Sequence, residues 1–333
     1  MIWIAASIAG GLLLLIIGGE LLVRGSVKVA EHMGLSPLII GLTLVGFGTS
    51  APELVTSVQA ALIGAPGIAV GNVVGSNIAN ALLILGIAAL LSPIAVPPMA
   101  LKRDGSIMLA SAVIFAIVGL TVGLERWVGA VFIAALAGYL VYAYRQERVA
   151  PEVIAAGGHT AAFDRFEATE ELIQHQGSPS LAAPSADIAV AIAMAVGGLV
   201  VVVVGGRVLV DGAVDLARIY EISETIIGLT IVAVGTSMPE LVTAVVAAYR
   251  GHGDVALGNV LGSNIYNTFG IAGVTGLIAP TAVPWEIATF DAPVMVGVSA
   301  VVLVMCFTNR GVSRVEGGVL LAGYLAYLAV IWP

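Results

Sequence analysis

Apolar runs of about twenty residues alternate with short clusters of Gly, Pro and charged residues from one end of the chain to the other. A helix rises 1.5 Å per residue, so a run of that length crosses a hydrocarbon core of roughly 30 Å. The punctuation predicts ten spanning helices, at 2–30, 36–63, 67–91, 104–122, 126–145, 187–216, 223–249, 254–279, 290–308 and 314–332. Only one connection is long. Residues 146–186 contain Gly157, Gly158, Ser178, Pro179 and the acids Glu167, Glu170 and Glu171, and read as a solvated linker loop. The loop divides a first membrane unit, 1–145, from a second, 187–333, with five spans on each side.

The two units repeat one another. The stretch 41–56 reappears at 228–243 and the stretch 71–80 at 258–267, both at an offset of 187 positions. Five is an odd number of crossings, so the second unit enters the membrane from the side opposite the first and the repeats are inverted. Inverted repeats with interrupted helices place a binding site near the bilayer midplane, where the repeats meet. The expected fold is an all-α integral membrane protein of two inverted five-helix repeats.

Composition agrees. Hydrophobic residues make up 59% of 333 positions and charged residues 10%, against about half and a quarter in a soluble domain. Lipid is the expected solvent, and a multi-pass chain of the cell membrane follows. The net charge of −8 does not indicate a basic partner, because six acids fall between Glu147 and Glu171 in the polar loop. A nucleic-acid partner is excluded on the same ground. The lone cysteine, Cys306, sits in an apolar run and permits no intrachain disulfide. Residues 1–15 lack a basic leader and a cleavage site, so they read as the first span rather than a signal peptide.

With the N-terminus outside, the cytoplasmic side carries Arg24, Lys28, Lys102, Arg103, Arg145, Arg148, Arg165, Arg250, Arg310 and Arg314. The outer side carries Arg126, Arg207 and Arg218, a split of ten against three. The excess of basic residues marks the cytoplasm, so both termini are expected outside and the acidic loop inside.

Glu53 and Glu240 occupy equivalent mid-span positions, where an acid costs on the order of 3 kcal/mol. Neither repeat block holds a Lys or Arg except Arg250 at a helix end. Two acids without a basic partner point to a cation site. Thr49, Ser50, Thr236 and Ser237 lie between Gly48 and Pro52 or between Gly235 and Pro239, where the helix is expected to open and free carbonyl oxygens. Ser76 with Asn80, and Ser263 with Asn267, stand four apart and share a helix face, which places a hydroxyl and an amide oxygen of each repeat toward the acids. Asn72, Asn77, Asn259 and Asn264 read as interhelical hydrogen-bonding residues. Carboxylates, amides, hydroxyls and carbonyls without Cys or His suit Ca²⁺, and Na⁺ as a hard cation of similar size, and exclude zinc and copper.

Gly-Thr-Ser-x-Pro-Glu in both units, each followed by Gly-Asn-x-x-Gly-Ser-Asn, resembles the paired alpha-repeats of the cation/calcium exchanger superfamily, within it the sodium/calcium exchanger branch of prokaryotic type. The proton-coupled calcium branch carries Gly-Asn-x-x-Glu at that place instead. The resemblance implies that Glu53 and Glu240 coordinate Ca²⁺ with the backbone carbonyls of Thr49 and Thr236. It further implies Na⁺ sites shared among the same glutamates, Ser50, Ser76, Ser237, Ser263 and the carbonyls of Gly46 and Ala233, with the long first and sixth helices sliding past the other eight. Asn267 stands where members of the superfamily carry Asp, which speaks against potassium dependence. The implied function is secondary active exchange of Ca²⁺ for Na⁺, with no enzyme activity, no cofactor and no required oligomer. H⁺-coupled divalent cation exchange is the alternative, a cation channel a remote one.

Overall fold

The computed structural model describes residues 2–32, 50–95, 101–149, 186–249, 251, 253–309 and 311–332. Residues 33–49, and with them Gly46, Gly48, Thr49 and the start of the expected span 36–63, lie outside the described residues, as does most of the linker loop.

The described chain is helical. It contains α1 (Ile2–His32), α2 (Ala51–Leu62), α3 (Pro66–Ala79), α4 (Leu85–Leu91), α5 (Ser106–Thr121), α6 (Arg126–Val149) and α7 (Ala186–Tyr220). The second part holds α8 (Glu224–Ile227), α9 (Ala233–Thr236), α10 (Met238–Tyr249), α11 (Gly253–Ile265), α12 (Ala272–Ile278), α13 (Ala292–Asn309) and α14 (Arg314–Ile331). Wider π-helical turns join or precede several of these, at Asn80–Ile84, Leu101–Gly105, Gly228–Val232, Tyr266–Ile271 and Ile287–Asp291. Seven helices among the described residues are long and apolar enough to cross a membrane, and an eighth if the bent run 224–249 counts as one span. The span Pro66–Leu91 is almost wholly interior, whereas α1 and α7 turn large apolar side chains outward, including Trp3, Leu13, Val200 and Val204. Such exposure is costly in water and costs nothing against lipid.

The sequence repeat is visible in the packing. The π turns at Asn80–Ile84 and Leu101–Gly105 recur at Tyr266–Ile271 and Ile287–Asp291, within one residue of the 187 offset. A two-residue antiparallel ladder pairs Ile94 with Val312 and Ala95 with Gly311, where β1 (Ile94–Ala95) meets β2 (Gly311–Val312). Its counterpart is the antiparallel bridge between Leu124 and Thr281, which stand at the offset mates of Gly311 and Ile94. Each contact joins one half of the chain to the other.

The two longest helices pack along most of their lengths through glycines spaced by seven. Gly11, Gly18 and Gly25 of α1 face Leu209, Val202 and Ala195 of α7, so one helix ascends as the other descends. Gly198, Gly205 and Gly212 of α7 return the contact against Leu22, Leu15 and Ser7. A Cβ at Gly18 would stand 2.7 Å from the Val202 backbone nitrogen, closer than any side chain tolerates. Only small residues let two backbones approach this closely, a recurrent basis of helix pairing in membranes.

Candidate ion-binding site

Among the described residues, one helix break stands beside the candidate site. The run from Glu224 to Tyr249 bends by 49° between α9 and α10. Pro239 has no N–H to give to the carbonyl of Gly235, and its ring crowds that turn, so the helix cannot continue straight. Ser237 fills the one-residue gap, and Glu240 is the third residue of α10. In the first half, Ser50 immediately precedes α2, with Pro52 and Glu53 as the helix's second and third residues. Both carboxyl groups therefore lie in the first turn of a helix, on its electropositive end. They are 1% and 2% exposed.

The sequence reading expected opened carbonyls at the break; Pro239 withholds the usual donor from the Gly235 carbonyl, while the Ala233 carbonyl stays in the helical ladder. The gap is so short that the Ser237 N–H still reaches the Ala233 carbonyl at 3.1 Å, and Ser76 Oγ stands 3.4 Å from the same oxygen. The Ala233 carbonyl thus faces the expected ligands but is engaged by them. Thr236 Oγ1 lies 3.0 Å from both the Val232 carbonyl and Asn72 Oδ1 and has one proton to share between them.

Glu53 is tied to the other half of the chain. Ser237 Oγ donates to Glu53 Oε1 at 3.1 Å, a contact between residues of different repeats. Asn72 Nδ2 donates to the Glu53 carbonyl at 3.1 Å and to Ser57 Oγ at 2.9 Å, fastening the glutamate's turn of α2 to α3. The offset mate makes the same bond: Asn259 Nδ2 donates to the Glu240 carbonyl at 3.2 Å. These asparagines act between helices, as the sequence suggested, and both hold the backbone that carries a site carboxylate.

Several expected ligand side chains carry buried polar atoms without a hydrogen-bond partner among the described residues. These include Ser263 Oγ, Asn80 Oδ1 and both polar atoms of Asn267. A buried unsatisfied polar atom costs about 1–3 kcal/mol, and three of the expected ligand side chains carry one. Hard-cation coordination is what would satisfy these oxygens. Ser76 and Ser50 are also buried, so of the expected ligands only Thr49 and Gly46 lie outside the described residues.

Two further acids are buried that sequence reasoning passed over. Asp104 accepts from Tyr139 Oη at 3.4 Å and pairs with Arg103 at 3.3 Å, while Asp291 accepts from Tyr327 Oη at 2.8 Å. Each sits in a π turn leading into a long helix, α5 or α13, and each is pinned by a tyrosine of the helix that follows, α6 or α14. The signal was available, since Asp104 and Asp291 differ by the same 187 positions.

A multi-pass helical membrane protein with two buried carboxylates at offset-related positions, each in the first turn of a helix, has the features of a cation-handling membrane protein. Known proteins narrow the class. The sequence profile of the family described as sodium/calcium exchanger protein matches residues 3–145 and 190–332. The sodium/calcium exchanger MaX1 of Methanosarcina acetivorans is 37% identical, covering 97% of this chain and 96% of its own. The putative antiporter CaxA of Alkalimonas amylolytica is 35% identical over 95% of both. Among solved structures, the sodium-calcium exchanger NCX_Mj soaked with Na⁺ and Sr²⁺ superposes with a TM-score of 0.62 at 30% identity over 98% of both chains. The chain belongs to the sodium/calcium exchanger family.

Proposed function

We propose that this protein is a secondary active antiporter that exchanges Ca²⁺ for Na⁺ by alternating access. The observation that carries the reading is the Glu53 and Glu240 pair. Both are buried in the first turn of a helix, Ser237 crosses from beside the Glu240 helix to Glu53 Oε1, and unbonded oxygens of Asn80, Ser263 and Asn267 stand on the neighbouring spans. Thr49, Thr236, Ser50, Ser237, Ser76, Gly46 and Ala233 complete the proposed ligand set, the threonines, Gly46 and Ala233 through backbone carbonyls. One Ca²⁺ or two Na⁺ neutralises two carboxylates, so either load lets the site cross the low-dielectric interior, while the empty dianion is held back. A third Na⁺ makes the cycle electrogenic.

The architecture proposed is ten spans as two inverted repeats, 1–145 and 187–333, joined by a cytoplasmic loop at 146–186, with both termini outside. The antiparallel packing of α1 against α7 supports inversion, since these helices open equivalent units. Their interlocked glycines also support movement of the two as one body past the rest. The names of relatives, a sodium/calcium exchanger and a structure soaked in Na⁺ and Sr²⁺, support the choice of ions. The test is Ca²⁺ uptake into Na⁺-loaded proteoliposomes. Uptake should need outward Na⁺ and fail with K⁺ or Li⁺ in its place; uptake driven by a pH gradient alone would assign the coupling to H⁺, and flux without any counter-ion would indicate a channel.

A further inference from the structure

A carboxamide is a cation ligand only through its oxygen. Turned about its last bond it presents an NH₂ group, which repels the ion, so an amide in such a site needs something to hold its orientation. Asn80 has it. Its Nδ2 donates to Asn264 Oδ1 at 3.0 Å, and Asn264 is itself held, with Nδ2 3.3 Å from the Asn77 carbonyl and 3.6 Å from Met108 Sδ. The Asn80 oxygen, left without a partner, therefore points away from Asn264. It lies one helical turn from Ser76, whose hydroxyl faces the Ala233 carbonyl, one turn before the break.

The repeat makes Asn267 the counterpart of Asn80 and Asn77 the counterpart of Asn264, yet the mirrored bond is missing. Asn267 Nδ2 and Asn77 Oδ1, which would make it, both have no partner among the described residues. Thr268 accounts for the difference. It stands where the first repeat has Ala81, and its hydroxyl takes the Asn77 amide at 2.9 Å, with Met295 Sδ at 3.3 Å on the same nitrogen. Ala81 offers Asn264 no such group.

We propose that Asn264 is a positioning residue that turns the Asn80 oxygen toward the transported ion, whereas Asn267, released by Thr268, is free to rotate and faces its oxygen inward only when an ion is bound. The inference rests on the cation-site reading given above. Removing Asn264's side-chain oxygen lets Asn80 populate both orientations, and the apparent affinity falls with the fraction facing correctly.

The test measures the KM for Ca²⁺ in Na⁺-loaded proteoliposomes for Asn264→Ala and the volume-matched Asn264→Leu, so that a folding defect in one leaves the other to read. Each should raise KM roughly 3- to 10-fold with maximal flux kept within about two-fold, the loss expected for one orienting hydrogen bond. Asn77→Ala, the mirrored deletion, should leave KM within about two-fold. In an Asn80→Asp background the Asn264 substitutions should no longer matter, because a carboxylate presents an oxygen whichever way it turns. An equal KM penalty in both backgrounds, or an equal penalty from Asn77→Ala, overturns the proposal. A Glu53→Gln control separates the two levels: if it abolishes saturable Ca²⁺ flux while Asn264 proves silent, only the positioning role fails, and if it leaves flux intact the ion site itself is wrong.

Discussion

Replacing Asn72 with leucine keeps its volume and removes its amide, and the consequence can be worked from the contacts it makes. Nδ2 bonds the Glu53 carbonyl at 3.1 Å and Ser57 Oγ at 2.9 Å, and Oδ1 accepts from Thr236 Oγ1 at 3.0 Å. Side-chain hydrogen bonds between membrane helices average about 0.6 kcal/mol, so three contribute about 1.8 kcal/mol, less whatever Thr236 recovers by turning to Val232. Asn259 makes one such bond among the described residues, to the Glu240 carbonyl at 3.2 Å. Asn259→Leu should therefore cost about 0.6 kcal/mol, and the two variants should differ by about 1 kcal/mol, roughly five-fold in the unfolding equilibrium. Equilibrium unfolding in mixed detergent micelles, followed by tryptophan fluorescence, resolves that difference. Since none of the three bonds ends on a carboxylate oxygen, the KM for Ca²⁺ should stay within about three-fold of wild type. Equal destabilisation by the two variants, or lost Ca²⁺ transport with stability intact, would refute the argument.

The glycine pairing of α1 and α7 should make Gly18→Val and Gly205→Val inactive in transport, because each Cβ meets the partner backbone or its Cβ at 2.7–2.9 Å, while Gly10→Val and Gly197→Val, which meet nothing within 4 Å, should transport normally; flux in proteoliposomes reads both. Cysteines placed at Ser178 and beside Pro333 in a Cys306→Ala background should be labelled from opposite faces by an impermeant maleimide, and labelling from one face would overturn the proposed inversion. With Asn80 and Asn267 both neutral, Na⁺-driven Ca²⁺ flux should be the same with and without K⁺ on the Ca²⁺ side, and a strict K⁺ requirement would remove Asn267 from the site.

Much of this was legible in the chain because membrane proteins repeat their signals loudly. The apolar runs located α1, α7, α13 and α14 to within a few residues, since lipid enforces both length and helicity. The 187 offset picked out Glu53, Glu240 and the serine and asparagine pairs, because a cost as large as a buried acid is kept only where something compensates it. Other features had no one-dimensional signature. A π turn such as Tyr266–Ile271 changes one hydrogen bond per turn and leaves the apolar pattern unaltered. The engagement of the Ala233 carbonyl by Ser237 and Ser76 depends on how far the chain opens at Pro239, which composition does not fix. The difference between the amides of Asn80 and Asn267, which we attribute to the hydroxyl of Thr268 where the first repeat has Ala81, is visible only in the contacts between the repeats.

The central claim is that two symmetry-related carboxylates hold the transported ion, and charge removal at each tests it most directly. Glu53→Gln and Glu240→Gln keep side-chain volume and leave the Asn72 and Asn259 bonds, which end on backbone carbonyls. Ca²⁺ uptake into Na⁺-loaded proteoliposomes should be abolished by either substitution, with each protein still eluting as a monodisperse folded species; uptake at the wild-type rate in either variant would contradict the account.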